Sequence, residues 1–300
     1  MPSPSRSTPG DKQPLKILML HGFTQSGSLF HAKSRALTKH IQKNFPLHEV
    51  VPVYPTGPIR LDPADIPGYT PSEGADGQEK DQAEQMEAYG WFRRSNAGNP
   101  PLYLGLEDGL ASVAEVLRKE GPFDGVIGFS QGAAMAAMVA SLLETGRKQA
   151  FDYFSSDATI ASKGFDVPDN KPVAGFTFPP SFDSSFHPPF KFAICYSGFR
   201  SPGPRYRAFY ERPALQTPIL HVLGSLDAVV EESRSRALIE ACAGDPEKEG
   251  RIVNHPGGHF LPSQRPYLDA AVRFIREELD KTNQPGDQVE EDVNDMDVPF

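Results

Sequence analysis

The stretch Phe123-Asp124-Gly125-Val126-Ile127-Gly128-Phe129-Ser130-Gln131-Gly132-Ala133-Ala134 decides the fold. Its first seven residues form a short apolar run of strand length, and the small residues from Gln131 to Glu144 suit a helix. Between the two stands Ser130, in the pattern G-x-S-x-G. A serine there occupies a sharp strand-to-helix turn with strained backbone angles, so its hydroxyl stands clear above a sheet. Gly128 and Gly132 remove side chains that would collide where the strand and helix cross.

Outward from this point, strand-like and helix-like segments alternate. Leu15–Leu20, Glu49–Tyr54, Lys191–Tyr196, Ile219–Leu223 and Arg251–Asn254 read as further strands, with Pro52 placing the second at an edge or a strand end. Helical spacing runs through Leu29–Phe45, where Leu29, Phe30, Lys33, Leu37, Ile41 and Phe45 share one side, and through Leu106–Glu120, Glu231–Ala243 and Arg265–Leu279. Alternating βα units with apolar strands predict an α/β fold. Its central sheet is mostly parallel and covered by helices on both faces, in a single domain over residues 15–280. Two polar stretches break the rhythm. Gly57–Met86 is expected over the active-site face. Gly146–Pro189 shows no periodicity and is expected as an insertion or loop. The Pro-rich leader, residues 1–14, and the acidic tail, residues 281–300, are expected to be disordered.

Composition narrows the function. Apolar residues at 38% and charged residues at 23% describe a globular chain, which excludes a collagenous or wholly disordered one. The 39 acids against 30 bases, with no basic stretch, offer nothing to a nucleic-acid backbone. No run is long enough to span a membrane as a helix, and the N-terminus lacks a signal peptide's apolar stretch. Cys195 and Cys242 stand far apart, outside any CxxC pair. The chain is therefore expected in the cytoplasm, with a nuclear share left open.

A nucleophilic serine needs a base, an acid and oxyanion donors. His259, in the loop His255-Pro256-Gly257-Gly258-His259, follows the last strand and precedes the last helix. Pro256, Gly257 and Gly258 forbid the helix that would align His255 and His259 as metal ligands, so no metal is expected. Asp227 follows the strand Ile219–Leu223 and precedes His259. The chain order Ser130, Asp227, His259 matches an α/β-hydrolase and not the other triad folds. Glu231 and Glu232 are rival acids, but they suit the first turn of a helix. The backbone N–H groups of Phe23 and Gln131 are the candidate oxyanion donors, and His21 is expected to brace their loop rather than act as the base. Trp91, Phe199 and Phe260 are candidates, with Phe23, for lining the approach to Ser130, although Trp91 suits a core plug equally well. With no Arg or Lys found in the motif loops, apolar acyl groups are expected to outrun charged ones.

These residues together resemble a known family. LHGFTQSGSLFHAKS at 20–34, Trp91-Phe92, GPFDGVIGFSQGAA at 121–134, YSGF at 196–199, Asp227 and HPGGHFLP at 255–262 resemble the FSH family of fungal and animal serine hydrolases. The resemblance covers about residues 15–280. It implies an α/β-hydrolase with Ser130, Asp227 and His259 as triad and no cofactor. It also implies esterase or thioesterase activity on a small-molecule substrate. Some fungal relatives release polyketide acyl chains, so an acyl carrier or polyketide synthase is a further expected partner. A reading from another class, a non-catalytic ligand-binding protein on the same scaffold, stays open at this point.

Overall fold

The computed structural model describes residues 12–62, 65–66, 87–96, 100–155, 175–184 and 186–283. The leader before residue 12, the acidic tail after residue 283, most of the polar stretch 57–86 and the middle of 146–189 lie outside the described residues.

In chain order the first elements are β1 (Gln13–Leu20), α1 (Gly27–Lys33), α2 (Arg35–Asn44) and β2 (His48–Val53). Four short strands follow: β3 (Ile59–Arg60), β4 (Tyr89–Gly90), β5 (Arg93–Ser95) and β6 (Leu102–Leu104). Then come α3 (Leu106–Glu120), β7 (Gly125–Phe129), α4 (Gln131–Leu142), α5 (Arg147–Phe154) and β8 (Phe192–Tyr196). The chain continues through β9 (Ile219–Gly224), α6 (Glu232–Ile239), β10 (Ile252–His255) and α7 (Arg265–Asn283). Six strands form one sheet in the order β10-β9-β8-β7-β1-β2, and every neighbouring pair is parallel. β2, the strand with Pro52, lies at one edge, where a missing N–H costs no ladder bond.

The strands are apolar throughout because alternate side chains enter two different cores. Leu18, Leu20 and Val126 join α3 and α4 on one face. Ile17, Met19 and Ile127 meet Phe30, Leu37 and Ile41 of α1 and α2, and Leu268, Ala271 and Ile275 of α7, on the other. α4 is buried on every side. Only its small residues let it lie so close to the sheet: a Cβ added to Gly132 would come within 2.1 Å of the Leu20 carbonyl oxygen.

Two expected segments differ. The helix expected over Leu29–Phe45 breaks at Ser34, whose hydroxyl turns back to the Phe30 carbonyl at 2.8 Å and also meets the Tyr54 hydroxyl at 2.8 Å. That local bond competes with helix continuation. Part of the loop expected over 146–189 is the helix α5. Its Arg147 is fully buried and donates to Glu144 at 2.6 Å and to the carbonyls of Ala208 and Pro213 at 3.2 and 2.7 Å. An arginine buried against a carboxylate and backbone carbonyls reads as surface in sequence, which hides the helix's inner face.

Candidate active site

The turn at Ser130 is as strained as its pattern requires. Ser130 has φ 53° and ψ −116°, a conformation L-residues rarely adopt. Its N–H donates to the Tyr196 carbonyl at 2.8 Å, which ties the turn to β8. A Cβ on Gly128 would come within 2.3 Å of the Gly132 carbonyl oxygen, so the crossing of β7 and α4 tolerates no side chain there. The strain lifts the Ser130 hydroxyl beyond the carboxyl ends of the strands, where ligands gather in open parallel sheets.

Two loops at those ends supply its neighbours. The loop after β9 carries Asp227, and the loop after β10 carries His259. His259 Nε2 lies 2.9 Å from Ser130 Oγ, and His259 Nδ1 lies 2.8 Å from Asp227 Oδ2. An ionised carboxylate can only accept, so Nδ1 carries the hydrogen and Nε2 is left to accept from the serine hydroxyl. Asp227 Oδ1 accepts from the N–H groups of Val229 and Val230, each at 2.9 Å. Burial alone would raise the Asp227 carboxyl. The hydrogen bonds from Val230, His259 and Val229 outweigh it and hold the group below the usual carboxylate range. The ring of Phe129 lies against His259 with centroids 4.9 Å apart. Glu231 and Glu232 are exposed and stand outside this chain of contacts; Glu232 pairs with Arg236 at 2.6 Å.

Behind the serine lies a brace that the sequence reading identified only in part. The Gln131 side chain clamps the next segment: its Oε1 accepts from the Trp91 N–H and its Nε2 donates to the Phe92 carbonyl, both at 2.7 Å. Trp91 Nε1 donates to the His21 carbonyl at 2.9 Å, and His21 Nε2 accepts from the Gly57 N–H at 2.8 Å. Burial lowers the His21 pKa to about 4, so the ring stays neutral and remains an acceptor. His21 is thus structural, as expected. Phe23 lines the same cleft as Ser130, and Gln131 follows the serine at the start of α4; among the described residues no hydrogen-bond acceptor stands against either N–H.

The cleft beside Ser130 has a volume of about 420 Å³ and is lined by Phe23, Phe129, Phe260 and Leu261 along with Ser130, His259 and Lys33. Two candidates for its wall are corrected. Trp91 is fully buried and serves as the core plug; α3 presses so close that a Cβ on Gly109 would come within 2.1 Å of its carbonyl oxygen. Phe199 is also buried, covered by the Arg234 guanidinium 4.0 Å from its ring centroid. A basic side chain from outside the motif loops also reaches the site: Lys33, at the end of α1, borders the cleft. The sequence reading had placed it on the inner face of an unbroken helix. Among the described residues, no group of three or more His, Cys, Asp and Glu could hold a metal ion, and no helix is long and apolar enough to cross a membrane.

Comparison with known proteins gives consistent results. The family model described as serine hydrolase (FSH1) matches residues 11–271. An esterase OVCA2 of Danio rerio is 31% identical over 271 residues, spanning 87% of this chain and 98% of that protein. A Schizosaccharomyces pombe protein named dihydrofolate reductase is 32% identical over 272 residues, which are 88% of this chain; the chain spans about half of that relative's length, 47%. Among solved structures, acyl-protein thioesterase 2 of Zea mays superposes with a TM-score of 0.50 at 17% identity, covering 91% of this chain and 97% of that one. At such identity the likeness speaks for the shared α/β-hydrolase fold.

Proposed function

The chain belongs to the FSH1 family of serine hydrolases, and on that premise we propose that it cleaves carboxylic esters or thioesters through an acyl-enzyme on Ser130. The observation that carries the reading is the unbroken relay from Ser130 Oγ through His259 to Asp227, at 2.9 and 2.8 Å, opening on an apolar cleft. His259 takes the hydroxyl proton through Nε2 as Ser130 attacks the carbonyl. Asp227 holds the imidazole in the tautomer that leaves Nε2 free and stabilises the imidazolium that forms. The N–H groups of Phe23 and Gln131 receive the oxyanion, Gln131 from the positive end of α4. His259 then protonates the leaving alcohol or thiol, and water repeats the cycle on the acyl-enzyme. Each step uses only this chain's own groups.

Apolar acyl chains of medium to long length are the preferred substrates in this reading. Phe23, Phe129, Phe260 and Leu261 give the cleft its apolar walls, and Phe260, Leu226 and Val229 remain exposed around the loops that bear His259 and Asp227. Each methylene buried in the transition state is worth up to about 0.8 kcal/mol. Cys195 and Cys242 are free and buried, which suits a reducing compartment, so we place the enzyme in the cytoplasm.

The test is Ser130→Ala, read by p-nitrophenyl ester turnover, by fluorophosphonate labelling and by circular dichroism. Turnover and labelling are expected to vanish with the fold intact. Hydrolysis near the wild-type rate would sink the reading, and would leave the ligand-binding alternative to be tested next.

A further inference from the structure

We propose that the substrate of this site carries an anionic group, a carboxylate or a phosphate, and that Lys33 receives it. The inference rests on the reading of Ser130 as the nucleophile and adds a specificity-determining residue to it.

Three observations meet at Lys33. It borders the same cleft as Ser130 and His259, whose other walls are Phe23, Phe129, Phe260 and Leu261 with the polar Thr24 and Gln25. Its side chain makes no hydrogen bond or ion pair with any described residue, a condition it shares with Lys39 and Lys43 of α2 but, unlike them, holds at the border of the cleft; Lys119, Lys148, Lys191, Lys248 and Lys281 each hold a carboxylate partner. It also lies in a stretch, residues 12–48, that contains Lys12, Lys16, Lys33, Arg35, Lys39 and Lys43 and no acidic residue, in a chain of net charge −9. Asp269 of α7 does reach α2, but His40 at 2.7 Å and Arg265 at 3.4 Å hold it there. Asp227, the carboxylate nearest the chemistry, is spent on His259 and the backbone N–H groups of Val229 and Val230.

The physics favours an anion over a neutral group at this position. Lys33 is exposed at the mouth of the cleft, and an ammonium there gains more from a charge-assisted hydrogen bond to an anion than from contact with an alkyl chain. An acidic protein repels anionic substrates at long range, so a local basic side chain beside the nucleophile directs such a substrate to the reacting end of the cleft. The ligand that fits is amphiphilic: an apolar acyl segment on the phenylalanine walls and one negative charge on Lys33. That charge can sit on the acyl chain, as in a half-ester of a dicarboxylic acid, or on the leaving group, as in a thioester of a phosphate-bearing thiol. The chemistry at Lys33 is the same in both cases.

The experiment compares kcat/KM ratios in wild type, Lys33→Ala, Lys33→Arg and Lys33→Glu. For the acyl side the pair is mono-p-nitrophenyl glutarate over p-nitrophenyl pentanoate. For the leaving-group side it is butyryl-coenzyme A over butyryl-N-acetylcysteamine. In Lys33→Ala the anionic-to-neutral ratio is expected to fall about tenfold in at least one pair, the worth of one charge-assisted contact. Lys33→Glu lowers it further, Lys33→Arg preserves it, and added salt lowers it in wild type. The pair that responds tells where the charge sits. A ratio within about twofold of wild type in both pairs, whether the rates themselves stay or fall together, overturns the proposal. Ser130→Ala, measured alongside, separates this outcome from failure of the nucleophile assignment: retained turnover there refutes the nucleophile whatever the ratios do.

Discussion

Ser130 and His259 face each other across 2.9 Å, yet different forces hold the two sides of that gap. On the serine side the constraint is steric. A positive φ, a helix with no exposed face, and glycines whose absent side chains are required by neighbouring backbone leave the hydroxyl one place to stand. On the histidine and aspartate side the constraint is polar. Two loops beyond β9 and β10 are joined by short hydrogen bonds, and both carry exposed residues such as Pro256, Phe260 and Val229. The glycines that place the nucleophile cannot take a side chain without disturbing the core, whereas an acid and base set by hydrogen bonds can be altered with little cost to folding.

The largest effect that sharpens this contrast is His259→Ala. It is expected to lower kcat/KM roughly 10⁴–10⁶-fold, since triad members act as a unit, while the melting temperature moves by only a few degrees. Asp227→Asn is expected to cost somewhat less, roughly 10⁴-fold. If Asp227→Asn is silent while Glu231→Gln is inactive, the acid has been misassigned. On the steric side, Gly132→Ala pushes a methyl against the Leu20 and His21 carbonyl oxygens, 2.1 and 2.4 Å away. It is expected to destabilise the fold by about 3 kcal/mol, seen as a lower urea midpoint together with lost activity. A Gly132→Ala protein with a wild-type midpoint breaks the comparison.

Gln131→Met keeps the volume but removes the clamp on Trp91 and Phe92. A loss of about 2 kcal/mol is expected, because two buried backbone groups lose their partners. The smallest effect is in the pH dependence of stability. Burial holds the His21 pKa at about 4 and that of His221 at about 3, below the ordinary value of about 6.5. As pH falls through about 6.5, the unfolded chain takes up protons that the folded chain refuses, so their contribution is full above that pH and drains toward pH 4. Each contributes up to about 1.4 kcal/mol per pH unit in that window. In His21→Gln the slope of the urea midpoint against pH over this range is expected to be shallower than in wild type, and an unchanged slope counts against a neutral buried His21.

The legible parts of the molecule were those written locally. The turn at Ser130 needs only its own glycines and flanking apolar runs, and the parallel sheet with helices on both faces follows from βα alternation. Asp227 and His259 were nominated by position after a strand, which chain order alone supplies. What escaped were facts decided by distant neighbours. Trp91 is a plug because Gly109 and Gln131, from two other elements, close on it. Phe199 vanishes beneath Arg234. The break at Ser34 depends on a hydroxyl that meets Tyr54 of another segment, and Arg147 is buried because the backbone near residues 208–214 receives it.

The complete burial of α4 also governs motion. Its amides can exchange with solvent only when the whole domain opens, so the serine belongs to the slowest-opening unit of the chain. The loop from Pro256 to Phe260, with exposed residues at both ends, belongs to a faster one. Sub-global fluctuations therefore part the base from the nucleophile long before the sheet comes undone. On warming, catalysis is expected to fade below the melting transition and to return on cooling, and in a hydrogen-exchange experiment deuterium is expected to enter the 255–260 segment while 131–142 stays protected.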